Sequence, residues 1–208
     1  MIELFAIAEY PGPPLPALAP LRAVRAGSLA AICAPAEDRK VSPEALWRHE
    51  EVVEALMEDR DLLPVRYGTL VDDDAAAVRA VDARRDELTA ALDRVRGAVE
   101  LSVRAVAGDP VGGEGEAAGG TSYLRTKMRS AAAQEQVTHS LHEPLAALAR
   151  ADMRRSPRPP SELLRAGYLV DRDAIGTFTR LVARLDARHP GLRLLCTGPW
   201  PPYSFAER

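Results

Sequence analysis

The chain has 208 residues, of which 47% are apolar, and a formal charge of −3 from 27 basic and 30 acidic side chains. This much apolar sequence is sufficient for one large packed core or two smaller ones. The charge leaves no basic excess for binding a polyanion, which argues against a nucleic-acid partner. The amino terminus lacks the basic start of a signal peptide, and no apolar run is long enough to cross a bilayer. We therefore expect a cytoplasmic protein without membrane contact.

The two cysteines, Cys33 and Cys196, both lie in apolar runs that resemble strands. A pair of isolated cysteines in such surroundings is typical of buried thiols in a reducing compartment. No disulfide framework is predicted.

The first 96 residues predict the element order β-β-β-α-β-α. Ser42 followed by Pro43 predicts the start of a helix with Leu46, Val53, Leu56 and Met57 on one face. Acidic residues 72–74 predict the cap of a second helix that continues to residue 95. Short apolar runs predict strands over residues 3–10, 21–26, 28–34 and 62–67, with a hairpin at Gly27. Proline cannot donate a ladder hydrogen bond, so Pro64 places the fourth strand at a sheet edge or at the strand start.

The remaining sequence predicts β-α-β-α-β. The elements are a strand over 99–107, a flexible glycine-rich loop over 108–120, a helix over 123–153, a strand over 163–170, a helix capped by Asp171 or Asp173, and a strand over 192–197. Strands and helices that alternate in this way favour a small sheet with helices on one face. We predict an α+β protein of two small domains, residues 1–96 and 97–208, the second a modified ferredoxin-like sheet that ends in a tail over 198–208.

The tail combines prolines with aromatic residues. Pro199, Pro201 and Pro202 lack an amide hydrogen, which predicts an extended path that excludes a helix. Trp200, Tyr203 and Phe205 lie among these prolines, whereas disordered tails are poor in aromatics. We therefore expect the tail to dock, either on a partner or within the protein itself.

One helical segment carries metal-binding residue types. Glu135, His139, His142 and Glu143 are spaced by three and four residues, and this spacing favours an alternative function as a small-molecule-binding or metal-binding ferredoxin-like module. The apolar stripe of the same helix nevertheless predicts that these side chains face solvent. The chain has no nucleophile elbow, phosphate-binding loop or paired-cysteine site. No catalytic residue, cofactor or metal ligand is predicted.

Two further polar residues lie in apolar surroundings. His49 falls on the apolar face of the first helix, which favours a core histidine bonded to a backbone group. Arg66 lies in an apolar run, so it either forms a buried ion pair or projects toward a partner.

Two segments of the chain resemble the most specific motifs of the gas vesicle protein F/L family. The first is Leu63-Pro64-Val65-Arg66-Tyr67-Gly68-Thr69, and the second is Gly198-Pro199-Trp200-Pro201-Pro202-Tyr203-Ser204-Phe205. The resemblance extends in order to Tyr10, His49, Tyr123-Leu124-x-x-Lys127 and Ala166-Gly167-Tyr168-Leu169-Val170. Tyr67 departs from the family, which usually has phenylalanine at this position.

The resemblance implies a non-enzymatic accessory or minor structural protein of the gas vesicle, located in the cytoplasm. It implies that the protein binds the major gas vesicle shell protein and other accessory proteins, and that it assists vesicle nucleation and assembly. The motif residues that we expect to form an interaction surface or a structural motif are Leu63, Pro64, Arg66, Tyr67, Gly68, Gly198, Pro199, Trp200, Pro201, Pro202, Tyr203 and Phe205.

Overall fold

The computed structural model describes residues 1–36, 42–107, 120–156, 158 and 161–206, with side chains omitted for 120–132. The glycine-rich loop predicted over 108–120 lies outside these residues except for its last position. Backbone contacts group the chain into two compact units, Met1–Glu100 with Pro199–Arg208, and Leu101–Gly198. The domain bounds 1–96 and 97–208 stay a prediction.

The first unit contains a sheet in the order β2-β3-β1-β4, with β5 also paired to β1. Its strands are β1 (Ile2–Glu9), β2 (Arg22–Ala26), β3 (Leu29–Pro35), β4 (Leu62–Pro64) and β5 (Leu70–Val71). The pairings of β1 with β3, β4 and β5 and of β2 with β3 are all antiparallel. The hairpin predicted at Gly27 is confirmed, since this glycine has φ +68° between β2 and β3. The edge position predicted from Pro64 is also confirmed.

Helix α1 (Pro43–Met57) begins as predicted, with the Ser42 side chain accepting a hydrogen bond from the Ala45 amide at 3.2 Å. Its buried residues are His49, Val52, Val53, Leu56 and Met57. The placement of Leu46 on the apolar face is wrong, because 44% of this side chain is exposed. The helix turns His49 and Val52 inward, which leaves Leu46 at the margin of the buried face.

The second predicted helix is two helices, α2 (Asp74–Asp82) and α3 (Arg85–Val95). The acidic cap is confirmed, since the Asp73 carboxylate accepts from the Ala76 amide at 2.7 Å. Arg84 interrupts the helix with φ −127° and ψ 21°, and its side chain then bonds to Glu87 at the start of α3. Neither glycine nor proline marks this break in the sequence.

The second unit has elements in the order β-α-β-β-α-β, and its sheet has the strand order β7-β8-β6-β9. The elements are β6 (Ala98–Ala107), α4 (Gly120–Ala146), β7 (Ala151–Arg154), β8 (Glu162–Asp171), α5 (Ile175–Arg188) and β9 (Leu192–Trp200), with a short 3-10 turn over Arg172–Ala174. Tyr168 and Phe178 are fully buried in its core, with ring centroids 5.2 Å apart.

The helix predicted to continue to residue 153 ends at Ala146, two residues beyond Pro144. Residues 151–154 instead form β7, where Met153 pairs with Gly167 of β8. Half-buried and exposed residues alternate along β7, which is the period of a strand. Arg154 therefore belongs to the sheet.

The expectation of an extended tail is wrong at its end, because residues Tyr203–Ala206 form a short helix, α6. The Pro202 carbonyl accepts hydrogen bonds from the Phe205 and Ala206 amides, both at 3.0 Å. Proline fixes φ near the helical value, and the first turn of a helix needs no amide donor. Pro201 and Pro202 therefore favour the start of a helix instead of preventing one.

Glu162 in the second unit is a buried carboxylate. It accepts hydrogen bonds from Arg104 Nε at 2.6 Å and from the Arg158 amide at 2.5 Å. Burial acts to raise its pKa, but the amide bond and then Arg104 outweigh burial, so the pKa lies below its usual value. The ionised form is therefore the one that the fold stabilises.

We expect Glu162→Gln to lower the free energy of unfolding by about 1–3 kcal/mol at neutral pH, because charge-assisted hydrogen bonds are lost. A lowered folded-state pKa contributes stability above the unfolded value of about 4.3, and this contribution is lost as the pH falls through the folded pKa. Urea unfolding of both proteins between about pH 7 and pH 3 should show the difference shrinking. A difference in the free energy of unfolding that does not change with pH would rule out this role of the Glu162 charge. The control is Asp86→Asn, which removes an exposed carboxylate.

Candidate interaction site

The first motif forms the turn between the edge strand β4 and strand β5. Val65 donates its amide to the Phe5 carbonyl at 2.9 Å, which extends the contact with β1 past Pro64. The Arg66 carbonyl accepts from both the amide and the hydroxyl of Thr69, at 3.2 and 2.8 Å. Gly68 has φ +79°, a conformation that side chains other than glycine rarely adopt. The turn geometry therefore explains the glycine of this motif.

His49 joins helix α1 to this turn. Its Nδ1 lies 2.9 Å from Glu3 Oε1, and its Nε2 lies 2.9 Å from the Val65 carbonyl oxygen. The ring therefore bridges a carboxylate of β1 and a backbone carbonyl of the turn. The ring stacks on Phe5 at 4.7 Å, and Tyr67 meets it edge-on at 5.6 Å. The predicted backbone bond of His49 is confirmed, whereas sequence reasoning missed Glu3.

The second motif packs into the first unit through α6. The Tyr203 hydroxyl donates to Glu50 Oε1 at 3.1 Å. Both the amide and the hydroxyl of Ser204 donate to the buried Glu100 carboxylate, at 2.9 and 2.6 Å. Phe205 is buried, and its carbonyl accepts from Arg94 at 3.4 Å. Burial first, and then the Glu50 carboxylate, raise the pKa of the Tyr203 hydroxyl, so that it remains a donor at physiological pH.

Residues of the first motif line a cavity of about 280 Å³ in the first unit, together with Ala206, the residue that follows the second motif. Leu63, Pro64, Val65, Arg66 and Thr69 contribute from the first motif, and Ala206 contributes from the end of α6. Apolar residues of the sheet and of α2 and α3 complete the wall, namely Leu4, Ile7, Val71, Ala80, Val81 and Leu88. Arg66 and Arg84 add positive charge to this apolar lining, and Arg84 is bonded to Glu87. Such a cavity fits an apolar group that carries a negative charge beside it.

The remaining motif residues differ in exposure. Arg66 is exposed, so the hypothesis of a buried ion pair for it is wrong. Trp200 remains 41% exposed, whereas Pro201 and Pro202 are buried. Gly198 and Pro199 are exposed within β9, and Gly198 has φ +116°.

The residues considered for a metal site have structural partners. His142 is buried, not exposed as predicted, with Nδ1 2.8 Å from the Tyr168 hydroxyl and Nε2 3.2 Å from Asp152 Oδ1. Glu135 lies 3.4 Å from Arg154, and exposed His139 lies 3.5 Å from Glu143. Among the residues whose positions are described, no group of three or more His, Cys, Asp or Glu could hold a metal ion.

The cysteines match their expected environment only in part. Both thiols are free; Cys33 is fully buried and Cys196 is half-buried. Burial raises the pKa of each thiol, which disfavours the reactive thiolate.

Within the described ranges, no helix is both long enough and apolar enough to span a membrane.

Comparison with known proteins identifies the family of the chain. The family model described as gas vesicle synthesis protein GvpL/GvpF matches residues 4–207. Gas vesicle protein L of Streptomyces sp. (strain CB03234) is 31% identical over 223 residues, covering 90% of this chain and 83% of that protein. Gas vesicle protein F of the same strain is 30% identical over 211 residues, covering 90% of this chain and 88% of that protein.

Solved structures show the same fold. The crystal structure of gas vesicle protein GvpF from Anabaena sp. PCC7120 has a TM-score of 0.85 at 18% identity, covering 100% of this chain and 96% of that chain. The crystal structure of gas vesicle protein GvpF from Microcystis aeruginosa has a TM-score of 0.80 at 17% identity, covering 100% of this chain and 99% of that chain. The mixed α+β architecture predicted from the sequence is confirmed. The chain belongs to the GvpL/GvpF family of gas vesicle synthesis proteins.

Proposed function

We propose that this protein is a non-enzymatic assembly factor that binds the major gas vesicle shell protein and assists vesicle nucleation and growth. Family membership supports the role in gas vesicle formation. The contact with the shell protein is our inference from the family resemblance and from the cavity. We place the protein at the gas vesicle in the cytoplasm, where other accessory proteins are further partners.

The cavity lined by the first motif and by the end of α6 is the observation that carries this proposal. A small, very apolar shell subunit exposes apolar surface in water, and a binder that covers this surface lowers its tendency to aggregate. The cavity of about 280 Å³ provides an apolar lining for such a side chain. Arg66, which is exposed beside it, provides a charge that pairs with a neighbouring carboxylate of the subunit.

The motif residues divide into two groups in this proposal. Arg66 and Trp200 are exposed and contact the partner directly, since arginine and tryptophan are common anchors of interfaces. The others shape or support the surface through the turn, the cavity wall or the packing of α6, and they are Leu63, Pro64, Tyr67, Gly68, Gly198, Pro199, Pro201, Pro202, Tyr203 and Phe205.

We assign the two compact units to two small domains, the second of modified ferredoxin-like type. The element order β-α-β-β-α-β of the second unit supports this assignment, because it is the order of that motif.

Co-purification with the tagged protein tests the proposal. The major gas vesicle protein is co-expressed with wild type, with Arg66→Ala, and with Ala80→Phe, which narrows the cavity from an exposed position on α2. We expect each variant to capture about one fifth, or less, of the shell protein that wild type captures. Arg66→Ala removes the charge beside the cavity, and Ala80→Phe blocks its apolar lining.

Ala75→Phe is the matched control, since Ala75 is an exposed alanine of α2 that does not line the cavity. Circular dichroism and urea unfolding first establish that each variant folds. Equal capture by wild type and both test variants would refute the cavity as the contact. No capture by wild type, with the shell protein present and soluble, would refute direct binding.

A further inference from the structure

Helix α1 presents an unusual outer face. Trp47 is 74% exposed, the most exposed of the large apolar side chains in the described part of the chain. It lies opposite the buried face formed by His49, Val52 and Leu56. A tryptophan at such an exposure adds nothing to the core of the unit, and exposed large apolar groups mark interaction sites.

Trp47 lies within a row of carboxylates. Helical spacing of three or four residues places this row on one face of α1, and its members are Glu44, Glu51, Glu54 and Glu58. All of them are exposed except Glu54, which is half-buried. We call Trp47 together with these four glutamates the acidic face of α1.

Helix stability does not explain this acidic face. Only Glu44 lies in the first turn, where its backbone amide and then Ser42 lower its pKa and negative charge is favourable. Glu54 and Glu58 lie at the opposite end, where negative charge is unfavourable and the last turn carries no basic residue. Glu51, Glu54 and Glu58 also repel one another at spacings of three and four. The charges oppose the helix that carries them, and a positively charged ligand would relieve this repulsion.

We propose that the acidic face of α1 docks a basic amphipathic segment of another protein, with Trp47 as its apolar anchor. Lysine and arginine pair with the glutamates and interact favourably with the face of the indole ring, while their apolar neighbours cover the ring. Nucleic acids and anionic lipid surfaces are repelled by the same charges. This contact goes beyond the proposed function, because no residue of the acidic face lines the cavity assigned to the shell protein.

Fluorescence anisotropy of labelled peptides against the full chain tests this inference. The probe is a peptide of about 18 leucine and lysine residues patterned as an amphipathic helix, and its comparator replaces every lysine with glutamate. We expect the lysine peptide to bind at least about tenfold more tightly at about 50 mM salt, with the advantage reduced at about 300 mM.

Variants locate the contact on α1. Trp47→Ala is expected to weaken binding of the lysine peptide at least about tenfold, and Glu51→Gln combined with Glu54→Gln at least about fivefold. Two controls lie away from α1, exposed Asp86→Asn on α3 and exposed Leu148→Ala after α4, and each should change binding less than about twofold.

Three outcomes would overturn the inference. Equal binding of the lysine and glutamate peptides would show that the carboxylates do not select a basic ligand. Unchanged binding of the lysine peptide by Trp47→Ala would show that Trp47 is not the apolar anchor. Sedimentation of the wild type as a dimer that Trp47→Ala converts to a monomer would make a second copy of this chain the occupant. None of these outcomes bears on shell-protein capture, so the two proposals fail separately.

Discussion

Replacing Phe205 with alanine is expected to lower the free energy of unfolding by about 3–5 kcal/mol. Phe205 is 3% exposed in the first unit, so its truncation leaves a cavity in packed surroundings. The loss should also weaken the neighbouring bonds of Ser204 to Glu100, because both depend on the position of α6. Urea unfolding followed by circular dichroism measures the change in the midpoint.

Two neighbouring substitutions serve as controls for this experiment. Trp200→Ala should cost less than about 1 kcal/mol, since a large part of the indole is exposed. Tyr203→Phe should cost about 1 kcal/mol, the net contribution of one hydrogen bond to Glu50. An unchanged midpoint for Phe205→Ala, together with lost capture of the shell protein, would instead show that Phe205 acts at an interface.

His49→Leu is the second substitution for which we expect a large loss, about 2–3 kcal/mol. Leucine keeps the apolar volume but forms no hydrogen bond, so the Val65 carbonyl and the Glu3 carboxylate both lose their bond to the imidazole ring. The stacking contact with Phe5 is lost as well. Chemical denaturation of purified wild type and variant gives the difference directly.

His139→Leu is the matched control, because His139 lies on α4 with 67% of its side chain exposed. It should change the free energy of unfolding by less than about 0.5 kcal/mol. Similar losses for the two histidines would contradict the bridging role of His49.

Much of the first unit was predictable because its signals are local. Ser42 and Pro43 define a helix start through their own chemistry. Gly27 permits the positive φ of a tight turn, and Pro64 removes a ladder donor. The break at Arg84 has no such signal, since ordinary helix-forming residues surround it. Strand β7 was missed for a related reason, because four residues form a strand there only by pairing with β8.

The sequence predicted the two motifs of the candidate site, but it did not predict that the chain near both motifs meets in the first unit. Tertiary structure alone brings Ala206 to the cavity beside Leu63 and Arg66. Glu100 was a visible signal that sequence reasoning missed, since a carboxylate in the apolar run of β6 needs a partner when it is buried. Its partner, Ser204, lies 104 positions away, beyond the reach of any local pattern.

The docking of α6 also sets an order of events during protein synthesis. Ser204 is added to the chain 104 residues after the Glu100 carboxylate that it binds. At about 5–20 residues per second, the ribosome needs roughly 5–20 s to make this interval. Until then the first unit lacks Phe205, so its partly formed core stays open to water and to other nascent chains. Chaperone contact with this unit should therefore persist until translation reaches the tail.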